Sequence, residues 1–151
     1  MRRIGSIDEL KELAGQEVGV SDWFEITQPR IARFADATDD HQWIHVDPER
    51  ARRESPFGET VAHGFLTLAL LPAMMASAVA LPPSRLGVNY GVNRVRFPAP
   101  VPAGSRVRGR IAVHAVEAAG GGIQVVWAVT VERAGSEKPV CVAEWIMRFY
   151  Y

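Results

Sequence analysis

Val61–Leu81 reads VAHGFLTLALLPAMMASAVAL, an apolar run introduced by His63-Gly64 and closed by Pro82-Pro83. From Phe65 to Leu81 only Thr67, Pro72 and Ser77 interrupt it, so a helix there has no polar face to turn to water and is expected to be covered on all sides. Its 17 residues would span about 25 Å, marginal for a bilayer. Pro72 in mid-run and the lack of a basic flank argue against a membrane-spanning or signal segment. The run therefore predicts a buried central helix kinked at Pro72, whose ring removes a donor and crowds the Leu68 carbonyl. Gly64 leaves the backbone at the head of this helix open to a ligand, and free N–H groups at a helix start attract developing negative charge.

Outward from this run, the pattern changes from helical to extended. Leu86–Phe97 holds valines and aromatics with two glycines, and Pro98-Ala99-Pro100-Val101-Pro102 forms a stiff connector. In Arg106–Val116, Val107, Ile111, Val113 and Ala115 are expected on one face and Arg106, Arg108, Arg110 and His114 on the other. Ile123, Val125, Trp127, Val129 and Val131 alternate in the next strand, beyond a Gly120-Gly121-Gly122 turn. Pro139–Tyr150 is apolar on both faces, which predicts a central position or a subunit interface. Upstream, Ser6-Ile7-Asp8-Glu9 has capping-box spacing and opens a short amphipathic helix stopped by Gly15. Gln16–Ile26 reads as one strand, Thr27 caps a helix ending near Ala37, and Asp47-Pro48-Glu49 starts another. Helices and a strand, a buried helix, then at least four extended segments predict an α+β fold: an antiparallel sheet curled around one long helix, as a single domain over residues 1–151.

At this length a domain buries close to 70% of its unfolded surface, enough for a real core. Seventeen basic residues balance seventeen acidic ones, so no global field favours nucleic acid or an anionic membrane, and neither is an expected partner. The lone Cys141 excludes an internal disulfide and sits in an apolar strand pattern, where a packed thiol is expected. With no leader ahead of the first helix, the cytoplasm is the expected compartment.

Thr38–Asp47, TDDHQWIHVD, is too rich in acids and imidazoles for ordinary packing. Asp40 and His45 lie in a segment that reads as irregular, where both can face one small cavity. A carboxylate and an imidazole together hold and orient a water, which is acid/base equipment worth about 10²–10⁴ in rate. Amide donors at His63-Gly64 would receive an oxygen as it turns negative. That set describes addition of water to, or its removal from, a carbonyl-activated carbon chain. On spacing alone, Asp39 and Asp40 read first as turn residues, and His63 as a packed histidine bonding loop backbone. His41, His45, His63, Asp40 and Asp47 can be drawn around a metal. Neither a cysteine cluster nor H-E-x-x-H is present, so no metal is expected.

FADATDDHQWIHVDPERA (Phe34–Ala51) followed by GETVAHGFLTLALLPAM (Gly58–Met74) resembles the MaoC-like dehydratase family. Its members include (R)-specific enoyl-CoA hydratases, 3-hydroxyacyl-thioester dehydratases and nodulation protein N relatives. NYGVNRVRFPAPVPAGSRV (Asn89–Val107) resembles the third block of the single-domain members, so the likeness covers nearly the whole chain. The resemblance implies a hot-dog fold and a homodimer with its sheets side by side. It also implies catalytic roles for Asp40 and His45, an oxyanion-hole amide at Gly64, and an acyl-CoA or acyl carrier protein thioester as substrate, with no cofactor beyond coenzyme A as part of that substrate. Where many (R)-hydratases read D-x-N-P-L-H, this chain has Gln42 and Trp43 in the asparagine and proline places. Some relatives carry a serine deeper in the central helix, where this chain has Pro72 or its neighbours, and no polar residue is assigned there.

Arg94, Arg96, Arg106, Arg108 and Arg110 place five guanidinium groups within 17 residues. Arginine forks suit phosphates, but a solvated strand face accounts for most of the five. Arg94 and Arg96, with Asn89 and His63, are the candidate substrate contacts, and Phe97 reads as packing. Three functions fit: a hydro-lyase on enoyl thioesters, a thioesterase on the same fold, and a non-catalytic acyl-binding protein.

Overall fold

The computed structural model describes residues 1–151. Local signals set the first elements. After the two-residue strand β1 (Arg2–Arg3), Ser6 caps α1 (Ile7–Glu12) by accepting from the Glu9 N–H, and Glu9 Oε2 accepts from the Gly5 N–H. Strands β2 (Glu17–Val20) and β3 (Phe24–Ile26) follow, then α2 (Gln28–Thr38), capped by Thr27. The one-turn helix α3 (Trp43–Val46) precedes α4 (Pro48–Glu54), whose cap is Asp47. The apolar run forms α5 (Gly64–Ala69) and α6 (Leu71–Ala78), and Val79–Ala80 is β4, paired in parallel with β1. The long strands are β5 (Leu86–Arg96), β6 (Ser105–Ala119), β7 (Gly122–Arg133) and β8 (Cys141–Tyr150).

The main sheet runs β2-β6-β7-β8-β5, with β3 also paired to β6, and every pairing in it is antiparallel. Gly120 and Gly121, both at positive φ, make the two-residue turn between β6 and β7. The sheet lays its apolar face on α5 and α6, and one core reaches from Ile4 to Phe149 with Trp127, Met74, Val107, Val125 and Val131 fully enclosed. Gly109 makes the contact close: a Cβ there would meet Met74 Sδ at 3.1 Å. This is the hot-dog architecture, an α+β sheet wrapped on a helix. No helix is long and apolar enough to cross a membrane.

Several expectations are corrected. The central helix is two helices that meet at Leu70-Leu71, and it stops at Ala78 because Val79–Ala80 joins β1. It is not covered on all sides. Phe65 is 70% exposed, and Ala69, Pro72, Ala73 and Ala76 also face outward, since the sheet covers one side and small side chains make the other cheap to expose. The strand expected over Gln16–Ile26 breaks at Ser21, whose hydroxyl takes the Gly109 N–H at 2.8 Å. Around His45 the chain is a helical turn, not irregular. His114 is an extra residue in β6 between the pairs Val113–Trp127 and Ala115–Val126, so the alternation reverses there and Val116, not Ala115, packs on the core. Strand β8 holds an interior position between β7 and β5, with Cys141, Ala143, Trp145 and Phe149 buried and its other face half-buried.

Pro72 sits in the first turn of α6, where an N–H has no intrahelical acceptor. Pro72→Ala is therefore expected to cost only about 0.4–1 kcal/mol in urea unfolding, whereas Met75→Pro, inside the same helix, costs about 3 kcal/mol or more.

Candidate active site

The site begins where α2 stops. Thr38 Oγ1 donates to the Phe34 carbonyl at 2.8 Å, and Asp39 takes the left-handed conformation (φ 57°) that ends the helix. The chain then turns so that the Asp40 carbonyl oxygen meets His63 Nε2 at 2.9 Å, leaving the Asp40 carboxylate 54% exposed. Helix α3 carries His45 inward to 7% exposure, and its Nδ1 lies 2.6 Å from the Val61 carbonyl oxygen. A carbonyl only accepts, so Nδ1 carries the proton and Nε2 keeps its lone pair. The same reasoning puts the His63 proton on Nε2. His63 Nδ1 is buried without a partner.

The two imidazoles stack, with ring centroids 3.8 Å apart and planes inclined by 24°. A carboxylate oxygen of Asp40 and ring nitrogens of His45 and His63 lie within 4.8 Å of one another. That trio could ligate an ion by composition, but the stacked rings hold their in-plane lone pairs in two nearly parallel planes, an awkward start for ligands that must converge on one centre. Burial holds the His45 imidazole below its ordinary pKa. The Val61 hydrogen bond and the Asp40 charge oppose that shift, and the neighbouring His63 adds to it. A neutral base beside a carboxylate can take a proton from water and be stabilised once charged.

His45 and Gly64 line one cavity of about 330 Å³, with Thr67, Phe57, Phe97 and Val140. Gly64 is the first residue of α5, so its N–H has no carbonyl one turn behind it. The Phe97 ring lies directly on it: a Cβ at Gly64 would come within 2.7 Å of that ring.

Asp40, His45, His63 and Gly64 are thus brought together. The other predicted residues lie elsewhere. Asn89 accepts from Trp145 Nε1 at 3.1 Å and lines a second cavity of about 360 Å³ beside Leu68 and Pro72. Arg94, also at positive φ where β5 is irregular, is exposed with Glu144 at 3.7 Å, and Arg96 donates to the Val95 carbonyl. Arg108 and Arg110 are tied across the sheet to Glu132 and Glu17, and Arg106 and Arg108 lie over Trp23. His41 turns outward to Asp36 at 2.8 Å, a bond that raises its pKa. The Cys141 thiol is pushed up to about 11 by burial, an inert group.

The sequence pattern described as the MaoC like domain matches residues 9–135. The chain belongs to the MaoC-like dehydratase family. It is 54% identical over 150 residues to 3-hydroxyacyl-thioester dehydratase Z of Mycobacterium tuberculosis (strain ATCC 25618 / H37Rv), covering 99% of both chains. Nodulation protein N of Rhizobium leguminosarum bv. viciae is 48% identical over 143 residues, covering 93% of this chain and 89% of that one. Among solved structures, the unliganded R-hydratase PhaJ1 of Pseudomonas aeruginosa superposes with a TM-score of 0.72 at 25% identity, covering 91% of this chain and 81% of that one.

This MaoC-like site also contains residues that the sequence reading passed over. Thr67 interrupts the apolar run one turn after Gly64, a usable signal, since a polar residue on that face has to meet something. Val61, as a carbonyl acceptor, leaves no trace in side-chain identity. Gln28 donates to the His45 carbonyl from a distant segment and accepts from the hydroxyl of Thr60, the residue before Val61.

Because the folded state disfavours protonated His45, the unfolded chain binds the extra proton below its ordinary value of about 6.5. Stability is therefore expected to be full above that pH and to fall as pH drops through it. His45→Gln should flatten this acid limb in urea unfolding between about pH 7 and 5.

Proposed function

We propose that this MaoC-like chain is a hydro-lyase acting on acyl thioesters, an (R)-specific enoyl-CoA hydratase and 3-hydroxyacyl-thioester dehydratase. The observation that carries the reading is His45, with its proton on Nδ1, lining a cavity shared with Gly64 and holding a ring nitrogen within 4.8 Å of an Asp40 carboxylate oxygen. The 54% identity to a protein named as such a dehydratase supports it. In hydration, water bound between Asp40 and His45 attacks C3 of the trans-2-enoyl thioester. His45 Nε2 takes its proton, and the C2–C3 double-bond electrons pass to the thioester oxygen, held by the Gly64 N–H. The enolate then takes that proton back from Nε2 at C2, so one water is added and His45 ends neutral. Asp40 accepts a hydrogen bond from the water and stabilises the transient imidazolium. Dehydration is the same path reversed.

No cofactor enters this scheme, since coenzyme A or acyl carrier protein is part of the substrate. Arg94 and Arg96, exposed near Phe97 on β5, are the proposed phosphate contacts, His63 supports the site from behind, and the Asn89 cavity one turn along α5 is the proposed place for the acyl chain. A single hot-dog domain over residues 1–151 and a cytoplasmic setting fit the one core and the buried lone thiol.

With crotonyl-CoA, absorbance of the conjugated thioester is expected to fall, and Asp40→Asn or His45→Gln should each remove at least about 100-fold of the rate. Full activity in both variants, or release of free thiol without hydration, contradicts the reading.

The homodimer is proposed from β5. This sheet edge exposes Leu86, Val88, Tyr90 and Val92 at 38–56%, Leu86 and Val88 on one face and Val92, past the irregularity at Tyr90, on the other, and its free backbone is one that another copy could pair. Sedimentation should give a dimer, and Val88→Lys, on the face away from the Asn89 cavity, should shift it toward monomer.

A further inference from the structure

We propose that Gln28 is a positioning residue for the His45 imidazole, acting through the one-turn helix α3. A helix of four residues has no stability of its own, and its last carbonyls find no donor within it. Three outside donors hold these carbonyls. The Trp43 oxygen accepts from the Asp47 N–H at 3.0 Å and the Ile44 oxygen from the Val61 N–H at 3.0 Å. The His45 oxygen accepts from Gln28 Nε2 at 2.7 Å, the one side-chain donor among the three.

The other end of the same amide is also committed. Gln28 Oε1 accepts from the hydroxyl of Thr60, a buried residue whose own carbonyl accepts from the Ala103 N–H at 2.9 Å. Turning the amide over would set its oxygen against the His45 carbonyl and lose that bond, so the carbonyl, which only accepts, fixes which way the amide faces.

Its two partners are the ones that matter for the ring. His45 supplies the imidazole, and Thr60 adjoins Val61, whose carbonyl oxygen receives the Nδ1 proton. Gln28, the first residue of α2, thus sets the spacing between the ring and its acceptor from a third segment. It touches no reacting atom. With its donor gone, α3 can shift against Val61, the Nδ1 bond lengthens, and Nε2 leaves the line on which it meets water.

Two variants separate the bonds. Gln28→Glu keeps the acceptor for Thr60 but turns a carboxylate toward the His45 carbonyl, and Gln28→Met keeps the length and removes both bonds. Ile31→Val, at a buried position of the same helix, is the control that lowers stability without touching the clamp. The readouts are the ¹⁵N imidazole spectrum of His45 and the kinetics of crotonyl-CoA hydration. Wild type and Ile31→Val are expected to show a neutral His45 with its proton on Nδ1. Both Gln28 variants are expected to average over two tautomers, with kcat at least about tenfold lower, since about 1 Å of misplacement can cost about 100-fold, and KM within about twofold. Thr60→Val, which removes the bond to the amide oxygen, should fall between and serves if a Gln28 variant does not fold. An unchanged His45 spectrum in the variants, or a kcat no lower than in Ile31→Val, overturns the proposal. The kinetic arm rests on the hydration reading and the spectral arm does not, so a wild type without hydratase activity defeats that reading while the spectrum still decides the role of Gln28.

Discussion

A buried imidazole whose proton is given to a main-chain carbonyl sets the terms for this site. The Val61 oxygen can only accept, so it holds His45, which lines the cavity, in one tautomer and leaves the opposite nitrogen without a proton. His63 is held in the same way by the Asp40 carbonyl and lies flat against His45. Both rings thus take their orientation from backbone positions, and those positions hold only while α2, α3 and the chain entering α5 keep their mutual spacing. Burial keeps His45 neutral at rest, and the nearby Asp40 carboxylate offsets the cost of charging it.

The helix pair and the sheet supply the rest of the frame. Met74 lies against Gly109, and the Phe97 ring against Gly64, so at both contacts the helices meet their neighbours where no side chain intervenes. The second approach brings an aromatic ring over the first turn of α5 and makes one wall of the cavity that holds His45. Carrying alanines on its outward face, the helix pair can leave that face open at little cost.

Much of this was legible in the chain. The caps at Ser6, Thr27 and Asp47, the Gly120-Gly121 turn and the buried alternation of β7 are local signals, and they form as read. The acid- and imidazole-rich stretch and the glycine at a helix start marked the place, but Asp40 by itself reads as a turn residue, and the roles of Asp40, His45 and Gly64 came from the resemblance to the MaoC-like family. The end of α6 at Ala78 could not be read, because Val79 leaves the helix to pair with Arg2, far away in sequence. The reversal at His114 was equally hidden, since a bulge is defined by the partner strand. Gln28 looked like an ordinary first helical residue.

The sequence by itself determined the layers, the turns and the chemical inventory of the site, because period, capping and residue type act over a few neighbouring residues. Only the tertiary structure decided which nitrogen of His45 is free, which carbonyls hold the two rings, and which side of the helix pair stays open. Those outcomes are set by oxygen atoms and surfaces that every residue type shares, brought together from segments far apart in the chain, and no pattern of side chains records them.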